Sequence, residues 1–251
     1  MLYSLPINKQ YLKQFFVGLL EGDGSIVVDK FRNNTRLRFV ISLKNTVENH
    51  KMLLLLKNHI GSGVVKIKRA EQCVTWSAQS KKHVKKILSI LEQYPLLTSR
   101  KQCQLAFALK SLNLKNLDNF YIDRNNKYMN QKQYFRTDLT LPSYFKGWLS
   151  GFIEAEGNFA LKYRPTGGLY YSKFQIGQNN DKYILEMITN YFESNHKIIL
   201  DKNNIHYRVS IYSHKCCQNI VNHFTVYPLL GEKKVSYLKW INEYFIIRTN
   251  K

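Results

Sequence analysis

The sequence predicts an α+β fold of two pseudo-symmetric αββαββα repeats, each carrying one antiparallel sheet, with one helix of each repeat packed on its twin. Three observations predict it. The stretch Gly18-Leu19-Leu20-Glu21-Gly22-Asp23-Gly24 returns 133 residues later as Gly151-Phe152-Ile153-Glu154-Ala155-Glu156-Gly157. Tyr94-Pro95-Leu96-Leu97 returns at the same offset as Tyr227-Pro228-Leu229-Leu230, and a basic pair follows each copy, Arg100-Lys101 and Lys233-Lys234. Between these landmarks, runs of period-two alternation, which send successive side chains to opposite faces of a strand, separate runs of helical spacing. Two motifs at one offset identify a fused duplication.

In the first half the patterning predicts a helix over 9–22, strands over 25–30 and 35–43, and a helix over 46–59. Strands over 63–69 and 72–78 and a helix over 80–92 follow. The second half repeats the order, with helices over 143–155, 180–193 and 213–224 and strands over 158–164, 169–177, 196–201 and 205–212. Residues 113–139 are rich in Asn, Asp, Lys and Gln with little periodicity, the composition of a solvated connection. The expected organisation is a repeat over 1–112, a linker over 113–139 and a second repeat over 140–251.

The strands are apolar on one face and basic on the other. Arg36 and Arg38 alternate with Leu37 and Phe39, Lys66 and Lys68 with Val65 and Ile67, and His206 and Arg208 with Tyr207 and Val209. Each sheet is therefore expected to lay its apolar face on helices and turn cations outward, two sheets side by side forming a basic saddle. Arg32, Arg69, Lys162, Arg164 and Lys173 extend the set of candidate nucleic-acid contacts.

Composition decides the partner. The 251 residues hold 38 Lys and Arg against 17 Asp and Glu, a formal charge of +21, and a surface this basic calls for a polyanion. The 17 Tyr and 14 Phe are spread along the chain instead of lining one amphipathic helix, which favours nucleic acid over a membrane surface. The longest apolar run, 52–56, is too short to cross a bilayer, and residues 1–16 lack a signal peptide's cleavage site, so neither a membrane nor secretion is expected. Cys73, Cys103, Cys216 and Cys217 have no zinc-ligand spacing and read as reduced thiols, and the seven histidines form no metal or catalytic pattern. A two-stranded ribbon fits the major groove of DNA, where Arg and Lys reach guanine and Asn and Gln reach adenine, so double-stranded DNA is the expected partner.

The repeated acidic stretch carries the chemistry. Gly18 with Gly22, and Gly151 with Ala155, are small residues four apart on one helix face, which lets two backbones approach along a pseudo-two-fold axis. Asp23 and Glu156 then lie together at helix C-termini, where the dipole disfavours negative charge and the carboxylates repel. Convergent carboxylates under a basic surface make an oxygen-rich site for Mg²⁺, suited to hydrolysing a phosphodiester.

With both copies in view, the chain resembles the LAGLIDADG homing endonucleases, specifically the single-chain, two-repeat members encoded in group I introns. Residues 16–24 and 149–157 occupy the nine positions of the name motif, with Glu21 and Glu154 in place of the first Asp and Glu156 in place of the second. The resemblance implies that Asp23 and Glu156, with the adjoining Gly22 and Ala155, hold two or three divalent ions, Mg²⁺ with Mn²⁺ or Ca²⁺ able to substitute. It implies a structural role for Glu21 and Glu154. It also implies a basic catalytic residue after each Pro-Leu-Leu segment, Arg100 and Lys233 by equal spacing, with Lys101 and Lys234 as alternatives. A polar residue at the end of the second strand orders water in the family; Gln178 fits in half two, while the half-one counterparts are Leu43 and Lys44. Cleavage of a long asymmetric DNA site by a monomer is the implied activity. Binding of group I intron RNA as a maturase is an alternative, and a non-catalytic DNA-binding regulator a third. The abundance of Lys, Asn, Ile, Tyr and Phe fits an AT-rich organellar genome, so a mitochondrial location is expected.

Overall fold

The computed structural model describes residues 8–31, 34–114, 117–166, 169–202 and 204–249, with side chains left undescribed at 169, 170 and 244–249. The first half runs α1 (Lys9–Gly22), β1 (Gly24–Phe31), β2 (Asn34–Lys44), α2 (Val47–Ile60), β3 (Val64–Lys68), β4 (Cys73–Ala78), α3 (Lys81–Gln93) and α4 (Ser99–Leu112). After α5 (Phe120–Asn126) and a 3₁₀ turn at Gln131–Tyr134, the second half runs α6 (Phe145–Glu156), β5 (Asn158–Tyr163), β6 (Leu169–Asn179), α7 (Lys182–Tyr191), β7 (Ile199–Leu200), β8 (His206–Ile211), α8 (His214–Val226) and α9 (Glu232–Thr249). The αββαββα order is present in both halves, and each half ends in one further helix, α4 or α9, that the patterning does not reveal. The stretch between the halves is also more ordered than its composition suggests. Leu117 and Phe120 are buried, and Gln131 donates to Ser99 Oγ at 2.7 Å.

The two sheets have the same antiparallel topology, β1-β2-β4-β3 and β5-β6-β8-β7. Register fixes their faces, because residues opposite each other in an antiparallel pair share a side. Leu37, Phe39 and Ile41 of β2 face inward with Val74, Trp76 and Ala78 of β4, and Phe174 and Ile176 of β6 with Val209 and Ile211 of β8; all are buried. The opposite faces carry Arg36, Arg38, Lys66 and Lys68 in one sheet and Lys162, Lys173, His206 and Arg208 in the other.

At the centre, α1 lies against α6 in the most extensive helix contact of the molecule. A Cβ on Gly18 would collide with the Trp148 carbonyl, and one on Gly151 with the Phe15 carbonyl. These pairs are themselves related by the 133-residue offset. The small residues are therefore required by backbone proximity.

A candidate nuclease centre at the helix pair

Two carboxylates per repeat leave the end of each motif helix, and they point to different tasks. Glu21 is buried and accepts from the backbone amides of Leu97 and Thr98 and, at 2.7 Å, from the Trp148 indole of the other half. Glu154 accepts from the amides of Leu230, Gly231 and Lys233 at 3.1, 3.1 and 2.9 Å. Each motif thus anchors the end of the Pro-Leu-Leu segment, just where the next helix begins and a helix N-terminus favours negative charge. That contact accounts for the second repeated motif. Burial pushes Glu21 up to about 7 in spite of its donors, and burial raises Glu154 as well.

The same turns are clamped from the opposite half. Tyr144 donates to the Pro95 carbonyl at 2.6 Å, and Tyr11, its counterpart at the 133-residue offset, donates to the Pro228 carbonyl. Asp181 accepts from the Ser99 amide at 2.9 Å and from its hydroxyl, while Asn49 accepts from the Glu232 amide at 3.0 Å. Sequence reasoning missed all four residues. The shared offset of the two tyrosines is the signal that could have found them; Asn49 and Asp181 break the offset and left none.

Among the described residues Asp23 and Glu156 have no such backbone partners, and they sit at the adjoining ends of α1 and α6. A Cβ on Gly22 would collide with Ala155 Cβ, so the glycine is what lets the two helix ends, and with them the two carboxylates, meet. Both carboxyls are raised above their ordinary values. For Asp23, loss of solvent raises it, and Lys233 and then Lys101 pull it down. For Glu156, burial and then the Asp23 charge raise it, against Lys101 and Lys233. Lys101 is buried, donates to the Gly24 carbonyl and is lowered by its own desolvation. A cleft of about 320 Å³ opens beside Asp23, lined by Leu43, Lys44, Asn49, Glu232 and Lys233. The donor set fits a hard divalent cation. It offers two desolvated carboxylates, the charge of Asp23 raising the proton affinity of Glu156, and carbonyls in the last turns of two helices. The amide that would close on the Gly22 carbonyl, that of Ile26, donates instead to Gln104 at 3.2 Å. Among the described residues no group of three or more His, Cys, Asp or Glu gathers at any point, so remaining ligands would come from substrate and solvent.

The structure places the basic candidates after the two Pro-Leu-Leu turns differently. Arg100 turns away and stacks its guanidinium over Tyr128 at 5.2 Å, whereas Lys101 reaches the acids. In half two the reach belongs to Lys233, and Lys234 is exposed. Equal spacing fails because α4 and α9 present different positions of their first turns to the centre. Gln178 stands opposite Tyr207 in the register, as Leu43 stands opposite Val74, so Leu43, not Lys44, is its half-one counterpart. On the open sheet faces Arg38 pairs with Asp29 at 2.7 Å, Arg208 with Asp201 at 2.7 Å and Lys68 with Glu71 at 3.0 Å. Arg36 lies over Phe31, and Lys162 and Lys173 over Tyr171. His206 contacts Asn179 at 2.9 Å. Arg69 and Arg164 are exposed just beyond β3 and β5, and Arg32 lies outside the described residues.

The profile of the LAGLIDADG endonuclease family matches residues 16–109 and 149–244, one span in each half. The chain belongs to this family. Among LAGLIDADG relatives, the probable intron-encoded endonuclease aI3 of Dictyostelium citrinum is 35% identical over 244 residues, covering 94% of this chain and 96% of the relative. The Debaryomyces hansenii protein of the same name is 33% identical over 275 residues, covering 96% of this chain but only 39% of its own length. Among LAGLIDADG structures, the I-LtrWI homing endonuclease bound to target DNA matches with a TM-score of 0.75 at 22% identity, over 96% of this chain and 92% of that one. I-SmaMI bound to uncleaved DNA in the presence of calcium ions matches at 0.70 and 20% identity, over 98% and 93%. At these identities the likeness is one of fold.

Proposed function

We propose that the chain is a site-specific homing endonuclease that hydrolyses one phosphodiester on each strand of a long, asymmetric double-stranded DNA target. The observation that carries this reading is the pairing of Asp23 and Glu156 at adjoining helix ends, both raised in pKa and both acted on by Lys101 and Lys233. A divalent cation such as Mg²⁺ held there by Asp23 and Glu156, with the carbonyls of Gly22 and Ala155, supplies Lewis-acid activation of water and phosphate. Lys101 and Lys233 stabilise charge developing on the scissile phosphates, and Gln178 orders water in its half-site. The cations of the two open sheet faces hold the duplex, and the ion pairs of Arg38, Lys68 and Arg208 exchange their carboxylates for phosphates.

We further propose the division into repeats over 1–112 and 140–251 joined by 113–139, action as a monomer, since fusion supplies both halves, and residence in mitochondria. The names of the relatives and the DNA in the solved neighbours support the reading.

The test is incubation with a randomised double-stranded DNA library, with Mg²⁺ or with EDTA, followed by sequencing of cut ends. One defined, metal-dependent site is expected. Asp23→Asn and Glu156→Gln should bind that site and cut it at least about 100-fold more slowly, the scale of removing one positioned catalytic group. Normal cutting by both variants overturns the site. No cutting at all, with tight binding to intron RNA, moves the function to splicing assistance.

A further inference from the structure

The rotation of α4 decides which of its first-turn cations faces the acids, and contacts from the stretch between the halves hold that rotation. Tyr128, half-buried between α5 and the 3₁₀ turn, touches two residues of α4 that lie four apart and so share a helix face. Arg100 stacks its guanidinium over the Tyr128 ring at 5.2 Å, and the Gln104 amide donates to the Tyr128 hydroxyl oxygen at 2.9 Å. Three residues further along, Gln131 donates to Ser99 Oγ at 2.7 Å, and the same hydroxyl donates to Asp181.

These contacts are relayed to the acids by buried groups. Gln104 is buried, and its other end accepts from the Ile26 amide at 3.2 Å, which fixes the first residues of β1 directly after Asp23. Lys101 is one residue on from Arg100, about 100° round the helix, and donates to the Gly24 carbonyl. A tether that only joined two repeats would need none of these bonds. The second half lacks them. At the 133-residue offset Tyr237 stands in place of Gln104 and packs among the rings of Phe159, Phe224 and Trp240. There the cation acting on Asp23 is Lys233, the counterpart of Arg100 and not of Lys101. A polar strut on α4 and an aromatic wedge on α9 account for that difference of one residue.

We propose that the stretch between the halves is a positioning element of the nuclease centre: Tyr128, through Arg100 and Gln104, and Gln131, through Ser99, set the rotation of α4 that turns Lys101 towards Asp23 and Glu156. The inference rests on the function proposed above, in which Lys101 stabilises charge on a scissile phosphate.

The test is single-turnover cleavage of a defined target by the wild-type chain, by Tyr128→Ala, by Lys101→Met and by the chain carrying both changes. Tyr128→Ala should cut about 10- to 100-fold more slowly, the scale of displacing a positioned group, with target affinity within about twofold of wild type. Tyr128→Phe, which keeps the ring beneath Arg100 and loses only the bond from Gln104, should fall between. The double variant should be no slower than Lys101→Met, because a residue that acts through Lys101 has nothing to act on once the ammonium is gone. Gln131→Ala should show the same pattern. Wild-type rates in Tyr128→Ala overturn the proposal, and so does a double variant slowed by the product of the two single losses, which is the signature of general loosening. Hydrogen exchange reads the same hold without cleavage. The Ile26 amide should exchange at least about fivefold faster in Tyr128→Ala, while the Glu232 and Lys233 amides keep their wild-type rates. Unchanged exchange at Ile26 overturns the proposal whatever the centre cuts. A wild-type chain that cuts no DNA refutes the function proposed above and not the hold on α4, which the exchange decides.

Discussion

At the scale of single residues, environment assigns the four motif acids their tasks. Glu21 and Glu154 are consumed by backbone amides, while Asp23 and Glu156 face each other and two ammonium groups. Because both free acids are raised, the ionised pair forms at higher pH than for surface carboxylates. Calorimetry with Ca²⁺ should therefore find cation affinity falling as pH drops through a window above the ordinary carboxylate range. A midpoint at the ordinary value would contradict the desolvation of this pair. The two candidate basic residues of half one should separate cleanly. Lys101→Met should slow cleavage by about 100-fold or more, as expected for a preorganised charge, while Arg100→Ala should cost less than about tenfold. Single-turnover rates on a defined target decide it, and equal losses would restore Arg100 to the centre.

At the scale of elements, the helix pair is held by an absence of side chains and by hydrogen bonds that cross between halves. Gly18→Ala and Gly151→Ala each drive a methyl into a carbonyl of the facing helix, a clash that side-chain rotation cannot relieve. Each should destabilise the fold by about 3 kcal/mol or more, at the upper end of overpacking costs, in denaturant titration. Tyr144→Phe leaves the Pro95 carbonyl without its donor and should cost about 1 kcal/mol. Tyr11→Phe should behave alike, because it makes the same contact to the other half. A value near zero for both would make these bonds ornamental to the fold.

At the scale of the whole molecule, buried titratable groups set opposing pH dependences. His223 is wholly buried between Ser150 and Tyr191, and burial lowers it to about 3. The unfolded imidazole takes its proton near 6.5, so this group removes stability as pH falls from 6.5 towards 3. Glu21 acts in the other direction. The folded carboxyl keeps its proton to about 7 while the unfolded one releases it near 4.5, so stability is lost as pH rises across that window. Asp181 adds the same sign between 3.8 and about 6. Between pH 4.5 and 6 two acids oppose one imidazole, so the native protein should lose stability as pH rises by up to about 1.4 kcal/mol per unit, and His223→Gln should steepen that decline by up to about the same amount. Identical slopes in the two proteins would show that these groups do not carry the dependence.

The sequence by itself determined the duplication, the two sheets with their basic outward faces, the close helix pair and the four motif acids. Those features are local or periodic. Alternation dictates a face, and a shared offset dictates symmetry, wherever the segments come to rest. Only the tertiary structure decided that Lys101 lies near the free acids while Arg100 stacks over Tyr128, that Leu43 stands where Gln178 stands, and that Asp181 and Asn49 cap the opposite half's last helix. The helix α4 escaped the patterning because one face of it is committed to partners far along the chain: Gln104 to Ile26, Lys101 to Gly24 and Ser99 to Asp181. Its polar residues are buried by long-range hydrogen bonds, so they read as surface in one dimension. Which of two neighbouring cations points into a site depends on a helix's rotation against the rest of the fold, and that rotation is set by packing, not by spacing.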